Sequence, residues 1–159
     1  MNFSIDKENK KISVEREFKV PIDTVWSAWT ESDMLDKWWA PKPWKAKTKT
    51  MDFREGGYWL YAMVGPEGEE HWARFDYSAI EPMVSFSGKD AFCDENGNIN
   101  KDFAGSFWKN EFSEKPGKTL VSVIISFKDL AALEQMIQMG FKEGFTMAMD
   151  GLDELLAGK

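Results

Sequence analysis

The chain has 159 residues, of which 43% are hydrophobic and 30% charged, a balance typical of a globular domain and not of a disordered or membrane-spanning chain. Its formal net charge of -7 opposes contact with a phosphate backbone or an anionic membrane, so we expect neither nucleic acid nor a membrane as partner. The single cysteine, Cys93, rules out an internal disulfide and a multi-cysteine metal site, and without a visible signal peptide we expect a cytoplasmic location.

The N-terminal part predicts one strand followed by two short helices. Apolar and polar residues alternate over residues 10–20, which indicates a half-buried strand that ends at Pro21. Helical spacing then joins Val25, Trp26 and Trp29. Residues 30–33, Thr-Glu-Ser-Asp, have the form of a capping box and predict the start of a second helix, which carries Trp38 and Trp39.

The middle of the chain predicts an antiparallel sheet, because short apolar runs alternate with glycine- and proline-containing turns. The predicted strands are residues 44–53, 58–64, 71–80, 84–87, 107–112 and 120–127. Lysines at alternate positions of the first of these strands are expected to face solvent. Residues 88–106 form a long polar connection between two strands.

The C-terminal part, from Asp129 to Leu156, keeps a helical period throughout and predicts one long amphipathic helix. Three glycines, Gly140, Gly144 and Gly151, fall inside this predicted helix near its apolar stripe. Glycine there costs about 1 kcal/mol relative to alanine, so each position needs a physical reason. Taken in order, the elements predict a single α+β domain over residues 1–159, with its helices on one face of the sheet.

Aromatic residues are the feature that most needs explanation, since the chain has eight tryptophans. Rigid rings over a concave sheet leave gaps more readily than small aliphatic side chains do. An adaptable surface on the last helix is added by Met136, Met139, Met147 and Met149. We therefore expect a ligand cavity between the sheet and that helix, with a fully packed core as the alternative. The candidate ligand-binding residues are Trp26, Trp29, Trp38, Trp39, Trp59, Tyr61, Phe75, Tyr77, Phe86, Phe107, Phe141, Gly144, Phe145 and Met149.

Motifs for catalysis or metal binding are weak. His71, beside Glu69 and Glu70, is the one histidine, but neighbours on a strand face opposite ways and make a poor catalytic pair. Residues 94–98 look like part of a calcium loop, yet the required ligand positions hold phenylalanines, so a turn at Asn96-Gly97 is the better interpretation. Cys93 has no recognisable catalytic partner. We expect no catalytic residue, no metal and no cofactor.

An ordered set of short motifs resembles a known family. The motifs are Arg16-Glu17-Phe18, Pro21, Val25-Trp26, Ala28-Trp29-Thr30, Leu35, Trp38-Trp39, Asp52, Arg54, Gly56-Gly57, Gly144-Phe145, Leu152 and Leu155-Leu156. Their order and spacing resemble domains similar to the C-terminal domain of the activator of the heat-shock protein 90 ATPase, in the START-like, birch-pollen-allergen-like (SRPBCC) superfamily. The resemblance implies a helix-grip fold, in which a curved antiparallel sheet wraps around a long C-terminal helix. Residues 88–106 are longer than in compact members and are expected to act as a lid.

Fold alone does not assign the function, because superfamily members include ligand binders, cyclases and co-chaperones. We expect non-enzymatic binding of a small hydrophobic or aromatic ligand by a monomer or homodimer. One alternative is a chaperone-associated interaction module, in which the acidic surface or an exposed tryptophan of residues 34–44 docks on a chaperone or another partner. A further alternative is a cyclase or hydrolase that uses His71 or a carboxylate in the same cavity. The residues that line the cavity distinguish these three functions, since converging titratable groups would favour catalysis.

Overall fold

Eight antiparallel strands form one sheet in the computed structural model, which describes residues 1–103 and 105–158. The strands are β1 (Asn2–Asp6), β2 (Lys11–Phe18), β3 (Lys45–Met51), β4 (Tyr58–Val64), β5 (Glu70–Glu81), β6 (Ser85–Cys93), β7 (Ser106–Lys115) and β8 (Lys118–Ser126). The helices are α1 (Ile22–Thr30), α2 (Ser32–Trp38), α3 (Leu130–Gln138) and α4 (Phe141–Leu156). The α+β class and the helix-grip arrangement are therefore confirmed.

The sheet order is β1-β2-β8-β7-β6-β5-β4-β3. Strand β8 pairs with β2 and β7, so the last strand of the chain lies beside one of the first and brings the C-terminal helices back across the sheet. Helices α1 and α2 connect β2 to β3, and α2 packs against α4. No helix within the described residues is long and apolar enough to cross a membrane.

Strand β1 was missed by the sequence analysis. Only Phe3 of this edge strand packs against the core, and the other four residues are exposed. An edge strand with one packed side chain has almost no period-two signal, because its pairing with β2 depends on backbone hydrogen bonds. The two short helices consequently follow the second strand and not the first.

The prediction of one continuous C-terminal helix was wrong. Helix α3 ends at Gln138 and α4 begins at Phe141, with Gly140 between them in the left-handed conformation at φ 85°. Glycine is favoured there because a Cβ atom would clash with the backbone. Gly140 is thus a helix boundary, whereas Gly144 and Gly151 lie inside α4 as predicted.

The capping box at residues 30–33 is absent. The Thr30 hydroxyl donates to the carbonyl oxygen of Trp26 at 2.8 Å, and no side chain caps α2 at Glu31. Thr30 is buried at the end of α1. Its hydroxyl is used for the hydrogen bond to the preceding turn and does not cap the next helix. The start of α2 at Ser32 was nevertheless predicted within the accuracy of a helix boundary.

The polar connection predicted for residues 88–106 begins later than predicted, since β6 continues to Cys93. Asp94 accepts hydrogen bonds from the backbone N–H groups of Asn96 and Asn98, and Gly97 has φ 84°, which confirms the predicted turn. Arg74, on the convex face of the sheet, donates to the Gly97 carbonyl oxygen at 2.9 Å. This part of the predicted lid therefore lies against the convex face, away from the helices, and residue 104 lies outside the described residues.

Candidate ligand cavity

A cavity of about 230 Å³ lies between the concave face of the sheet and the junction of α3 with α4. The sheet contributes Tyr61, Met63, His71, Ala73, Asp90, Ala91, Phe92 and Trp108 to its lining. The remaining lining residues are Trp39, Pro41, Met136, Met139, Gly140, Phe141, Gly144 and Phe145. Two of these lining residues, His71 and Met139, are exposed, so the cavity opens to solvent beside them.

Strand register determines which side chains reach the cavity. Ala73 on β5 pairs with Tyr61 on β4 and with Phe92 on β6, and the three form one row across the concave face. The next row joins Phe75 to Asp90 and Asp90 to Ser106. Since side chains alternate between the two faces of a strand, every second residue of β6 from Phe86 to Phe92 points toward the helices.

Helix α4 covers the cavity with one turn of its apolar face. Phe141, Gly144 and Phe145 are spaced by three and four residues, so they lie side by side. The two phenylalanine rings stack with centroids 5.1 Å apart, and both contact the edge of Trp108. A Cβ atom added at Gly144 would meet only Pro41 Cγ, at 3.8 Å. Gly144 therefore lies in the cavity lining, where a Cβ atom would make an ordinary van der Waals contact with Pro41.

Trp39 forms the inner wall of the cavity. Its indole Nε1 donates to the Tyr61 hydroxyl oxygen at 2.9 Å, and Tyr61 in turn stacks on Trp59 with centroids 3.9 Å apart. The Trp39 ring also lies 5.8 Å from Trp108 and 6.1 Å from Phe145, measured between centroids. Burial raises the pKa of the Tyr61 phenol, so this hydroxyl stays neutral at physiological pH.

Asp90 is the one carboxylate among the described lining residues. It accepts hydrogen bonds from both the backbone N–H, at 3.2 Å, and the hydroxyl of Ser106. Trp108 Nε1 donates to the same hydroxyl oxygen at 3.0 Å. Burial raises the pKa of Asp90, and the hydrogen bonds from Ser106 and Trp108 oppose that rise.

Sequence reasoning missed both Asp90 and Trp108. Each lies on the concave face of a strand whose alternation would have revealed it, but the predicted β6 ended before Asp90. Phe107, and not its neighbour Trp108, was predicted to line the cavity, and this prediction was wrong. Phe107 lies on the convex face and is 36% exposed, whereas Trp108 is 3% exposed. A shift of one residue on a strand exchanges the two faces.

His71 lies at the mouth of the cavity, where it is exposed. Its ring contacts Trp44 with centroids 5.4 Å apart. Within residues 1–103 and 105–158, no hydrogen bond or ion pair joins His71 to a carboxylate. The geometry gives this histidine no partner of the catalytic type.

The other predicted site residues lie deeper. Trp29, Trp59, Phe75, Tyr77 and Phe86 surround a separate void of about 20 Å³, which Trp39 and Trp108 divide from the larger cavity. Two residues that line this void, Trp29 and Asn110, each have a polar atom, Nε1 and Oδ1, that is buried without a hydrogen-bond partner among the described residues. Trp26, Trp38 and Met149 belong to the packed core. Thus Trp39, Tyr61, Phe141, Gly144 and Phe145 are the predicted residues that line the larger cavity.

Two other predicted features have structural roles. Arg54 Nε lies 2.6 Å from Asp52 Oδ2, and both residues follow the end of β3 beside the Gly56-Gly57 turn, which gives these two motif residues a structural role. Burial raises the pKa of the Cys93 thiol, which favours the unreactive protonated form. Among the described residues, no group of three or more histidine, cysteine, aspartate or glutamate side chains is arranged to hold a metal ion.

Comparison with known proteins gives a family and several structural relatives. The sequence model described as Activator of Hsp90 ATPase homolog 1-like protein matches residues 19–157. Protein Ms6760 from Mycobacterium smegmatis is 30% identical, with a TM-score of 0.90 over 98% of this chain and 96% of that chain. A protein from Arthrobacter aurescens is 26% identical, with a TM-score of 0.94 over 99% of this chain and 92% of that chain. No curated protein matches the chain.

Proposed function

The chain belongs to the Activator of Hsp90 ATPase homolog 1-like family, and from its cavity we propose that it binds a small, largely apolar ligand without transforming it. The observation that carries this proposal is the cavity of about 230 Å³ that Gly144 lines, bordered by aromatic rings from both the sheet and α4. A glycine inside a helix costs about 1 kcal/mol relative to alanine, and a bound ligand provides a reason to keep that space free.

The size of the cavity limits the ligand. At about 230 Å³ the cavity is somewhat smaller than the ~300–1,000 Å³ of most drug-sized sites. This volume fits one aromatic ring with a short chain better than a long lipid, although the open mouth beside Met139 lets part of a longer molecule extend into solvent. The flexible Met136 and Met139 side chains adapt to ligands of different shape.

Ligand binding is favoured over chaperone docking through a tryptophan, because that docking needs an exposed indole in residues 34–44. No tryptophan of residues 34–44 is exposed: Trp38 is buried, and both Trp39 and Trp44 are half-buried. Catalysis by His71 is disfavoured by its exposed position and lack of a carboxylate partner. We expect His71→Ala to leave ligand affinity nearly unchanged.

The test uses the neutral dye N-phenyl-1-naphthylamine, which brightens in apolar surroundings. We expect saturable binding near one dye per chain, with quenching of tryptophan fluorescence because Trp39 and Trp108 line the cavity. Gly144→Leu should fill the open space and weaken dye binding by about tenfold or more.

Gly151→Leu is the matched control. Gly151 lies two turns further along α4, a Cβ atom there meets nothing within 4 Å, and it does not line the cavity. The control should therefore keep the dye affinity of the wild type. Equal weakening by both leucine variants, or no saturable binding by the folded wild type, would contradict the proposed function.

A further inference from the structure

We propose that the ligand of this cavity carries a protonated amine, held by the Asp90 carboxylate, with its apolar body among the surrounding aromatic rings. This inference rests on the proposed ligand-binding function and adds the chemical class of the ligand. It follows from three features of the cavity: the placement of Asp90, the distribution of charge in the lining, and the arrangement of the rings.

Asp90 is held in a fixed orientation toward the helices. Its register between Phe75 and Ser106 places the side chain on the concave face of the sheet. Carboxylate oxygen Oδ1 accepts from the Ser106 backbone N–H and hydroxyl, and Trp108 Nε1 fixes that hydroxyl in turn. The hydrogen bonds from Ser106 thus converge on one oxygen, Oδ1.

The cavity supplies no cation to this carboxylate. None of the described lining residues is a lysine or an arginine, and no ion pair among residues 1–103 and 105–158 includes Asp90. Asp90 is half-buried, and a partly desolvated carboxylate without a cationic partner is less favourable when ionised, so burial raises the pKa of Asp90. A ligand ammonium would provide the missing charge and favour the ionised form.

Aromatic rings surround the same space. Trp39, Trp108, Phe141 and Phe145 lie with neighbouring centroids between 5.1 and 6.1 Å apart, and Tyr61 completes the wall opposite α4. Ring faces attract cations and exclude carboxylates, and their apolar surface suits a hydrocarbon group. A carboxylate beside an aromatic wall is thus complementary to an apolar amine and repels an apolar acid.

Three probes of nearly equal shape separate these chemistries: 2-phenylethylamine, 2-phenylethanol and 3-phenylpropionate. Isothermal titration calorimetry near neutral pH should show the amine binding at least about tenfold more tightly than the alcohol, and the acid most weakly. Asp90→Asn should lower amine affinity to that of the alcohol and change alcohol affinity by no more than about twofold. Asparagine keeps an oxygen that accepts from Ser106 but carries no charge.

A titration of the wild type provides a second test that does not depend on folding of the variant. The preference for amine over alcohol should be full above the pKa of Asp90 and should disappear as the pH falls through it. The other titratable groups facing the cavity are Tyr61, which stays neutral, and His71, which His71→Ala removes. Asp76, Lys89 and Lys128 line a neighbouring pocket that Asp90 also borders. Their charges act on the amine more than on the neutral alcohol, so the same titration of Asp90→Asn is the control: a pH dependence that persists in this variant belongs to them and not to Asp90.

The outcomes are distinct. Equal affinity for amine and alcohol, a preference for the acid, or an amine preference that survives Asp90→Asn would overturn the amine assignment while leaving apolar binding in place. Loss of the pH dependence in His71→Ala would assign the preference to His71 and overturn the role of Asp90. Failure of all three probes and of the naphthylamine dye to bind would reject both the ligand-binding function and this inference.

Discussion

The two ends of the space between sheet and helices are built from the same aromatic residue types but differ in packing. At the α1 end, Trp26 contacts Phe86 and Phe112 edge-on at centroid distances of 5.9 and 5.1 Å, and the rings fill the space. At the α4 end, Trp39 and Trp108 border a cavity of about 230 Å³. Aromatic content alone therefore does not distinguish a core from a site.

The difference arises from what faces the rings. The α1 end meets Val25, Ala28 and other side chains that are fully buried. The α4 end meets Gly140 and Gly144, which have no side chains to fill the space, and two methionines at the solvent boundary. The dipeptide Trp38-Trp39 joins the regions: Trp38 Nε1 donates to the Ala28 carbonyl oxygen at 2.8 Å in the core, whereas Trp39 Nε1 donates to Tyr61 in the cavity wall.

The largest expected effect comes from truncating a residue of the packed end. Trp38→Ala should lower the free energy of unfolding by about 3–5 kcal/mol, because it removes a fully buried ring and its hydrogen bond. Phe141→Ala, at the cavity, should cost only about 1–2 kcal/mol since that ring is half-buried beside open space. Urea denaturation measures both, and equal costs would break the contrast between the two ends.

The small void beside Trp29 and Asn110 tests how completely the packed end is filled, because we expect it to hold a water molecule. Its volume of about 20 Å³ accommodates one water, which would accept from Trp29 Nε1 and donate to Asn110 Oδ1. Asn110→Ala should cost about 1–3 kcal/mol, since the water and the indole N–H lose a buried acceptor. Lys109→Ala, on the opposite face of the same strand, should change stability by no more than about 0.5 kcal/mol.

A crystal structure at high resolution provides the direct check of that prediction. Electron density for one water between Trp29 and Asn110 is the expected result. An empty void, together with a cost for Asn110→Ala no greater than that for Lys109→Ala, would show that the packed end tolerates two unsatisfied polar atoms.

The sequence predicted the strongly apolar strands, including one that lines the cavity, better than the polar and glycine positions that shape the cavity. Strand β4 was predicted with its observed bounds, and β8 within two residues, because their apolar patterns are strong. Strand β6 was cut short because Gly88, Lys89 and Asp90 have the composition of a loop. Gly88 is required there, since a Cβ atom would clash with the Asp76 carbonyl oxygen. Asp90 is a polar residue at an inward-facing position. It therefore made this part of β6 look like a loop, and it is also the carboxylate that lines the cavity.

The helix break at Gly140 escaped prediction for a related reason. Apolar residues continue through the break with nearly helical spacing, so hydrophobic periodicity does not detect it. The signal was the glycine itself, which adopts a backbone conformation that other residues avoid. Features that create the cavity are thus exceptions to local patterns, whereas the packed core follows them.

The C-terminal half of α4 is held to the sheet by ion pairs with Arg16, whereas its N-terminal half covers the cavity. Arg16 on β2 binds Asp150 at 2.6 Å and Asp153 at 3.3 Å, both in the C-terminal half of α4. Arg16→Met should cost about 1 kcal/mol, less at high salt, because the ion pairs are near the surface. Dye affinity should stay unchanged, since these residues do not line the cavity. A large loss of dye binding would show that the two halves of α4 are coupled.

The smallest expected effect distinguishes the three glycines of the helical segment. Gly144→Ala should raise stability by about 0.5–1 kcal/mol, because alanine favours the helix and its Cβ atom meets only Pro41 at ordinary contact distance. Gly151→Ala should give the same gain, since nothing lies within 4 Å of its Cβ position. Gly140→Ala should instead destabilise by about 1–2 kcal/mol, because Gly140 has φ 85°. Thermal melts of the three variants measure the signs, and a lowered melting temperature for Gly144→Ala would mean that α4 touches the sheet where the cavity is placed.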